Sequence, residues 1–146
     1  MYKSILVPLD GSKLAEAILP HAEFLAKTLN AEIVLLSVVV PTPPFAADEM
    51  VTYPATDEAV EVEAEAYLTS VRERLHRQGL RVRAATRSGQ AADQIVDYAR
   101  EAGISLIAMC THGRSGLGRW VMGSVADKVL RGAETPILLL RVKGKG

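Results

Sequence analysis

The sequence predicts an α/β fold in which a mostly parallel, doubly wound sheet has helices on both faces. Two observations support this prediction. Short apolar, β-branched runs alternate with helical patterns along the whole chain, which gives five strands and four helices. Most of these runs are nearly continuous, as is typical of strands buried on both faces of a parallel sheet. The chain has 146 residues, of which 49% are hydrophobic, so we expect a single domain over residues 1–146.

The first strand is predicted at the apolar run from Ile5 to Leu9, and the helix after it is predicted to begin at an N-cap, Ser12. Pro20 lies inside the helical pattern, so we expect it to kink the helix or to shift its start. Asp10 stands between these elements, at the strand's carboxyl end, where open α/β sheets bind ligands. A carboxylate there suits hydrogen bonds from a ribose or an adenine amino group. An Asp before a Gly is also a common turn residue, but its location favours the binding role.

The middle of the chain is predicted to contain a second buried strand, a proline-rich loop and a long helix. The strand runs from Ile33 to Val40, and four prolines then mark an irregular loop over residues 41–55. Such a loop is suited to be a lid over a site, or equally to cover core surface. The helix is predicted from Asp57 to Gln78, where Gly79 stops it.

The later elements alternate in the same way. The third strand, Leu80 to Thr86, alternates apolar and polar residues and is predicted at an edge of the sheet. Strands one, two and four are the most apolar and are predicted at its centre. The remaining predicted elements are a helix between Gly89 and Gly103, a strand from Ile104 to Met109, a short helix from Val125 to Leu130, a final strand from Ile137 to Val142, and a disordered tail, residues 143–146.

The final strand contains Ile137-Leu138-Leu139-Leu140 and is too apolar for an open sheet edge. Pairing with the same strand of a second chain would cover it, so the sequence predicts a homodimer through Ile137 to Val142. A helix or the tail of the same chain is the alternative cover. The chain has 17 basic and 17 acidic residues, so little charge repulsion opposes self-association.

A glycine-rich stretch, Met109 to Ser124, lies between the fourth strand and the short helix. A loop of this kind lets the backbone approach a ligand closely, and the helix N-terminus after it presents free N–H groups, which suits a phosphate. Arg114 and Arg119 add two cations. Ser124 is placed either to cap the helix, with Asp127 as a capping-box partner, or to donate to the same anion. The stretch is not a P-loop, because Arg119-Trp120 stands where Lys-Ser/Thr is required.

Composition narrows the class of protein. Zero net charge argues against a general binder of nucleic acid or of anionic membranes. The single cysteine, Cys110, precludes an intrachain disulfide and favours a reducing compartment. The N-terminus lacks the long apolar region of a signal peptide, and no apolar stretch reaches the roughly 18 residues of a membrane span. The sequence therefore predicts a soluble, cytoplasmic protein.

Three blocks of sequence form a pattern that goes beyond these general features. They are the opening Ile5-Leu6-Val7-Pro8-Leu9-Asp10-Gly11-Ser12, the Val40-Pro41 end of the second strand, and the block from Thr111-His112-Gly113-Arg114 to Gly123-Ser124-Val125-Ala126-Asp127. Together they resemble the universal stress protein family. Family members that bind ATP carry Gly-x2-Gly-x9-Gly-(Ser/Thr). Here Gly113, Gly123 and Ser124 match three of these positions with the spacing intact, and Cys110 replaces the first glycine.

The resemblance implies a Rossmann-like fold of the adenine nucleotide alpha hydrolase type, with strand order 3-2-1-4-5. It also implies a homodimer that pairs the final strands, and an ATP site with accompanying Mg²⁺. By this resemblance, Asp10, which follows Pro8, contacts the adenosine moiety, and Val38 and Met109 form walls of the adenine pocket. Thr111, His112 and Gly113 lie beside the ribose and phosphates. The phosphates are bound, mostly through backbone N–H groups, by Arg114, Gly123, Ser124 and Val125.

Three functions stay open on the sequence alone. An ATP-binding stress-response or signalling module with slow or no hydrolysis is favoured, because the loop has glycines and cations but no Lys-Ser/Thr pair. A weak ATPase would use Asp10 or His112 to orient a water. A nucleotide-free dimeric interaction protein would follow if Cys110 blocks the pocket; the alternatives for Cys110 are a reactive thiol or a small apolar filler at the strand end.

Overall fold

The chain forms a parallel sheet of five strands with helices on both faces. The structure, a computed structural model, describes residues 1–41, 57–111 and 123–142. Its strands occur in the order β3-β2-β1-β4-β5, and all four neighbouring pairs are parallel, so the predicted fold class and strand order are confirmed. The elements are β1 (Ser4–Pro8), α1 (Lys13–Glu16), α2 (Leu19–Leu29), β2 (Glu32–Val39), α3 (Asp57–His76), β3 (Val82–Ser88), α4 (Ala91–Glu101), β4 (Leu106–Cys110), α5 (Ser124–Gly132) and β5 (Ile137–Leu140).

Two predicted segments lie outside the described residues. They are the proline-rich loop over residues 41–55, of which only residue 41 is described, and the tail, residues 143–146. Within the ranges that are described, no helix is long and apolar enough to cross a membrane.

The central strands bury apolar side chains on both faces of the sheet. Ile5 and Val7 of β1 belong to the layer beneath α1, α2 and α3, whereas Leu6 belongs to the layer beneath α4 and α5. All three side chains are fully buried. A strand covered on both faces needs an apolar residue at nearly every position, and this is why β1 and β2 have continuous apolar runs in the sequence.

The first helical pattern splits into two helices, so the described chain has five helices and not four. Ser12 caps α1, since its side chain accepts a hydrogen bond from the Ala15 N–H at 3.1 Å, as predicted. Pro20 lies in the first turn of α2. First-turn N–H groups have no acceptor within a helix, so a proline is tolerated there and would break the helix further along. The shift of the helix start at Pro20 is therefore confirmed.

The two edge strands differ in character. β3 carries exposed arginines, and Arg83 pairs with Glu32 of the neighbouring strand at 3.0 Å. Charged side chains of this kind discourage pairing with another chain. β5 is apolar and half-buried, and Leu138 is 36% exposed. It is shorter than the predicted run to Val142. The central positions of β1, β2 and β4 and the edge position of β3 are confirmed.

Candidate functional site

A cavity of about 280 Å³ opens at the carboxyl edge of the sheet, around the ends of β1 and β4. These strands are neighbours, and the chain continues from β1 and from β4 toward opposite edges of the sheet. In open α/β sheets this switch point is where ligands bind. The described residues that line the cavity are Pro8, Leu9, Asp10, Ala15, Leu36, Val38, Ala91, Ile95, Met109, Cys110, Thr111, Gly123, Ser124, Val125 and Ala126.

The cavity brings together most of the residues that the sequence predicted for the site. Nine of the twelve line it, namely Pro8, Asp10, Val38, Met109, Cys110, Thr111, Gly123, Ser124 and Val125. The other three, His112, Gly113 and Arg114, lie outside the described residues. The sequence therefore identified a set of residues that converge in space from four separate segments of the chain.

The apolar wall of the cavity includes residues that the sequence analysis missed. Leu36 lies two positions before Val38 on β2, and Ile95 lies on α4. Both belong to the same buried layer as Met109. The period of two along a strand would have placed Leu36 beside Val38. Because β2 is apolar at almost every position, that period is not visible in its sequence.

The N-terminus of α5 forms the polar wall of the cavity. Gly123 is the N-cap, and its carbonyl accepts the Asp127 N–H at 2.9 Å. Ser124 is the first helical residue, so the prediction that it caps the helix with Asp127 is wrong. The carboxylate of Asp127 instead pairs with Arg131 at 3.2 Å, one turn further along. Among the described residues, no side chain caps α5. The first N–H groups of a helix have no acceptor within it, so those of α5 are available to a ligand at this wall.

Thr111 lies where the two walls meet. Its side chain is 4% exposed, and Oγ1 finds no hydrogen-bond partner in the described part of the chain. A buried hydroxyl without a partner costs about 1–3 kcal/mol relative to one that is bonded. Its backbone is fixed on both sides, since the N–H donates to the Leu140 carbonyl at 3.0 Å and the carbonyl accepts the Gly123 N–H. The hydroxyl is thus held in place as a donor or acceptor at the cavity.

Asp10 is both a turn residue and a cavity residue. Its Oδ1 accepts the Ser12 N–H at 2.9 Å and the Ser12 hydroxyl at 2.5 Å. These bonds hold the turn between β1 and α1, so Asp10 is a turn residue. Asp10 is also exposed and lines the cavity, so a ligand in the cavity can reach its carboxylate.

The short helix α1 is tied to α3 beside the cavity. Tyr67 of α3 donates its hydroxyl to Glu16 Oε2 at 2.6 Å, and Arg74 lies 3.5 Å from the same carboxylate. Burial, followed by the hydrogen bond to Glu16, raises the pKa of Tyr67 above its usual range. Tyr67 therefore stays protonated and keeps donating to Glu16. This contact fixes α1, which supplies Ala15 to the cavity.

Cys110 packs toward α1. Its side chain is 7% exposed, belongs to the layer beneath α1, α2 and α3, and its thiol donates to the Ala15 carbonyl at a sulfur–oxygen distance of 3.6 Å. Burial raises the pKa of the Cys110 thiol to about 11, with the backbone of Ile18 offsetting part of this rise. This environment is that of a small apolar filler and not of an activated nucleophile.

We expect Cys110 to alkylate slowly in the folded protein. With a pKa of about 11 against an ordinary value of 9.0, its thiolate fraction at pH 8 is lower by about 100-fold. Iodoacetamide labelling followed by mass spectrometry, with and without urea, measures this; the chain has no other cysteine. Equal labelling rates in the folded and urea-unfolded protein would contradict this prediction.

The raised pKa of Cys110 also makes stability depend on pH. Because the folded state holds the thiol proton to higher pH, the contribution of this thiol to the free energy of unfolding is present below pH 9 and is lost as the pH rises toward 11.

The fold and the cavity define a doubly wound, Rossmann-like α/β domain with a ligand-sized cavity at its switch point. The sequence model of the universal stress protein family matches residues 1–141. Universal stress protein MJ0531 of Methanocaldococcus jannaschii is 30% identical over 141 residues, which cover 97% of this chain and 83% of that protein. The chain belongs to the universal stress protein family.

Solved structures of other proteins share the fold. That of MJ0577, a universal stress protein of Methanocaldococcus jannaschii, is similar with a TM-score of 0.81 and 26% identity, covering 98% of each chain. The universal stress protein from Archaeoglobus fulgidus in complex with dAMP has a TM-score of 0.71, covering 94% of this chain and 97% of that one. At 20% identity, this second likeness shows the fold alone.

Proposed function

We propose that the chain is an ATP-binding universal stress protein, a nucleotide-dependent stress-response or signalling module with slow or no hydrolysis. The observation that supports this most is that an apolar wall meets a polar one beside Thr111. Among the described residues, the N-terminus of α5 has no side-chain cap there and the Thr111 hydroxyl has no hydrogen-bond partner. A flat base suits the first wall and a phosphate suits the second. The universal stress protein from Archaeoglobus fulgidus, which shares this fold, was solved in complex with dAMP, so the fold itself is compatible with an adenine nucleotide.

In this proposal the apolar wall contacts the base of ATP and the polar wall binds its phosphates. Val38 and Met109 contact the adenine, and Asp10 accepts hydrogen bonds from the adenosine moiety. The N–H groups at the start of α5, with Ser124, bind the phosphates, and Mg²⁺ accompanies ATP on its phosphates. Thr111 bonds the ribose or a phosphate oxygen, which would satisfy its buried hydroxyl. Hydrolysis is slow or absent because the loop has no Lys-Ser/Thr pair to act on the terminal phosphates.

The protein acts as a homodimer in the cytoplasm in this proposal. The apolar strand β5 lies at the end of the described sheet, and Leu138 on it is 36% exposed. Pairing of β5 with a second copy would cover this edge. The single cysteine, buried and without a disulfide partner, supports a reducing compartment.

Titration of magnesium-ATP into the purified protein by calorimetry tests the proposal, after a check that no nucleotide has co-purified. We expect saturable binding near one ATP per chain. ATP at about 100 times its dissociation constant should raise the free energy of unfolding by about 2.7 kcal/mol.

Two other results would favour the alternative functions. The absence of both binding and stabilisation in a folded dimer would overturn ATP binding and favour the nucleotide-free interaction protein, for which the exposed β5 edge is the supporting observation. Multiple-turnover phosphate release, lost on Asp10→Asn, would instead favour a weak ATPase.

A further inference from the structure

Thr111 connects the cavity directly to the outer strand β5. Its N–H donates to the Leu140 carbonyl at 3.0 Å, which extends the β4–β5 pairing one residue beyond the Cys110–Leu140 pair. Its carbonyl accepts the N–H of Gly123, the N-cap of α5. Its buried hydroxyl, which has no partner within the described ranges, lines the cavity. One residue thus contacts β5, the start of α5 and the cavity.

We propose that ATP binding in the cavity strengthens the pairing of β5 with β5 of a second copy of this chain, and that Thr111 is the positioning residue for this coupling. This inference rests on the proposed function and specifies how the site is regulated. A ligand oxygen that bonds Thr111 Oγ1 and the first N–H groups of α5 restrains Thr111 and Gly123 together. The Leu140 carbonyl, at the end of β5, is then held as well.

The geometry of β5 explains why such restraint matters for self-association. The Pro136 and Leu140 carbonyls accept hydrogen bonds from Ile107 and Thr111 of the β4 side. Backbone groups of successive strand residues point to opposite sides, so Ile137 and Leu139 present theirs to the outer edge. β5 has only four residues, and a strand this short and half-exposed loses conformational freedom on pairing. A ligand that has already ordered its end lowers that cost, and by linkage the dimer binds the ligand more tightly.

Sedimentation equilibrium over a dilution series, with and without saturating magnesium-ATP, measures the coupling. We expect ATP to lower the dimer dissociation constant of the native chain by about fivefold or more, the lower end of typical couplings between sites. Thr111→Val removes the hydroxyl and keeps the backbone bonds, so ATP at a concentration that saturates this variant should change the constant by less than about twofold. Thr111→Ser restores a hydroxyl and should restore the coupling. Thr69→Val, on α3, is the matched control and should behave as the native chain.

The possible results separate this inference from the function on which it rests. ATP that binds without changing the dissociation constant of the dimer overturns the coupling and leaves ATP binding intact. Full coupling in Thr111→Val overturns the role of Thr111. No ATP binding to the native chain overturns the proposed function, and the coupling with it. If Thr111→Val does not fold, the comparison of Thr111→Ser with the native chain tests the role of the hydroxyl. Loss of coupling in Thr111→Ser, which keeps a hydroxyl, would contradict the proposal.

Discussion

Replacement of Gly123 by leucine is expected to abolish ATP binding while the fold stays intact. Gly123 lines the cavity at the N-terminus of α5 and has φ −57° and ψ 154°, a conformation that any residue adopts without strain. The substitution therefore imposes no backbone penalty. Its side chain occupies space beside the first N–H groups of α5, where a phosphate must approach closely. Calorimetry with magnesium-ATP should show an affinity lower by at least about 100-fold, equivalent to about 2.7 kcal/mol.

A control on the same helix separates loss of the site from loss of the helix. A Cβ at Gly132, the last residue of α5, would meet Val96 Cγ2 at 3.6 Å, which is ordinary contact. Gly132→Ala should therefore keep both the fold and native affinity. Circular dichroism and thermal unfolding of Gly123→Leu should match the native chain. Native affinity in a folded Gly123→Leu would show that the phosphates do not bind at this helix, and the proposed function would fail.

The fold was predictable because each element has a strong local signal. Continuous apolar runs identified β1, β2 and β4 as central, and the alternating polar residues of β3 identified an edge strand. Pro20 indicated where α2 begins, and the Ser12 side chain indicated the N-cap of α1. Each of these signals depends on a few adjacent residues, so it can be recognised in the sequence without knowledge of tertiary contacts.

The lining of the cavity was predictable only in part. The errors in the prediction share one physical cause, because each depends on backbone conformation or tertiary packing that neighbouring residues do not determine. Ser124 follows Gly123 immediately, and the sequence does not show which of the two residues has helical dihedral angles; the structure makes Gly123 the N-cap. Whether the side chain of Cys110 points into the cavity or toward α1 depends on the pleat of β4, which fixes the face of each residue only once the strand's register is known. Ile95 reaches the cavity through the packing of α4 against β2, which no local pattern encodes, and the continuous apolar run of β2 hides the period of two that links Leu36 to Val38.

Replacement of Leu138 by lysine is expected to convert the dimer into monomers. Leu138 lies on β5, pairs in register with Ala108 of β4, and is 36% exposed in the single chain. Pairing of β5 with a second copy places the two strands about 4.8 Å apart, so a two-fold axis near the middle of this short strand brings both copies of residue 138 close together. Two ammonium groups there repel each other and must lose water. We expect the dimer dissociation constant to rise at least about tenfold, equivalent to about 1.4 kcal/mol.

The same substitution should leave the rest of the molecule unchanged, which makes the measurement specific. Leu138 is already partly exposed, so a lysine side chain can extend into solvent with its stem along the apolar surface. Residue 138 does not line the cavity, so each monomer should still bind ATP. Val62→Lys on α3, at a valine that is 59% exposed, is the matched control and should keep the dimer. A native dissociation constant for Leu138→Lys would place the dimer interface elsewhere than β5, and the coupling proposed for Thr111 would lose its second site.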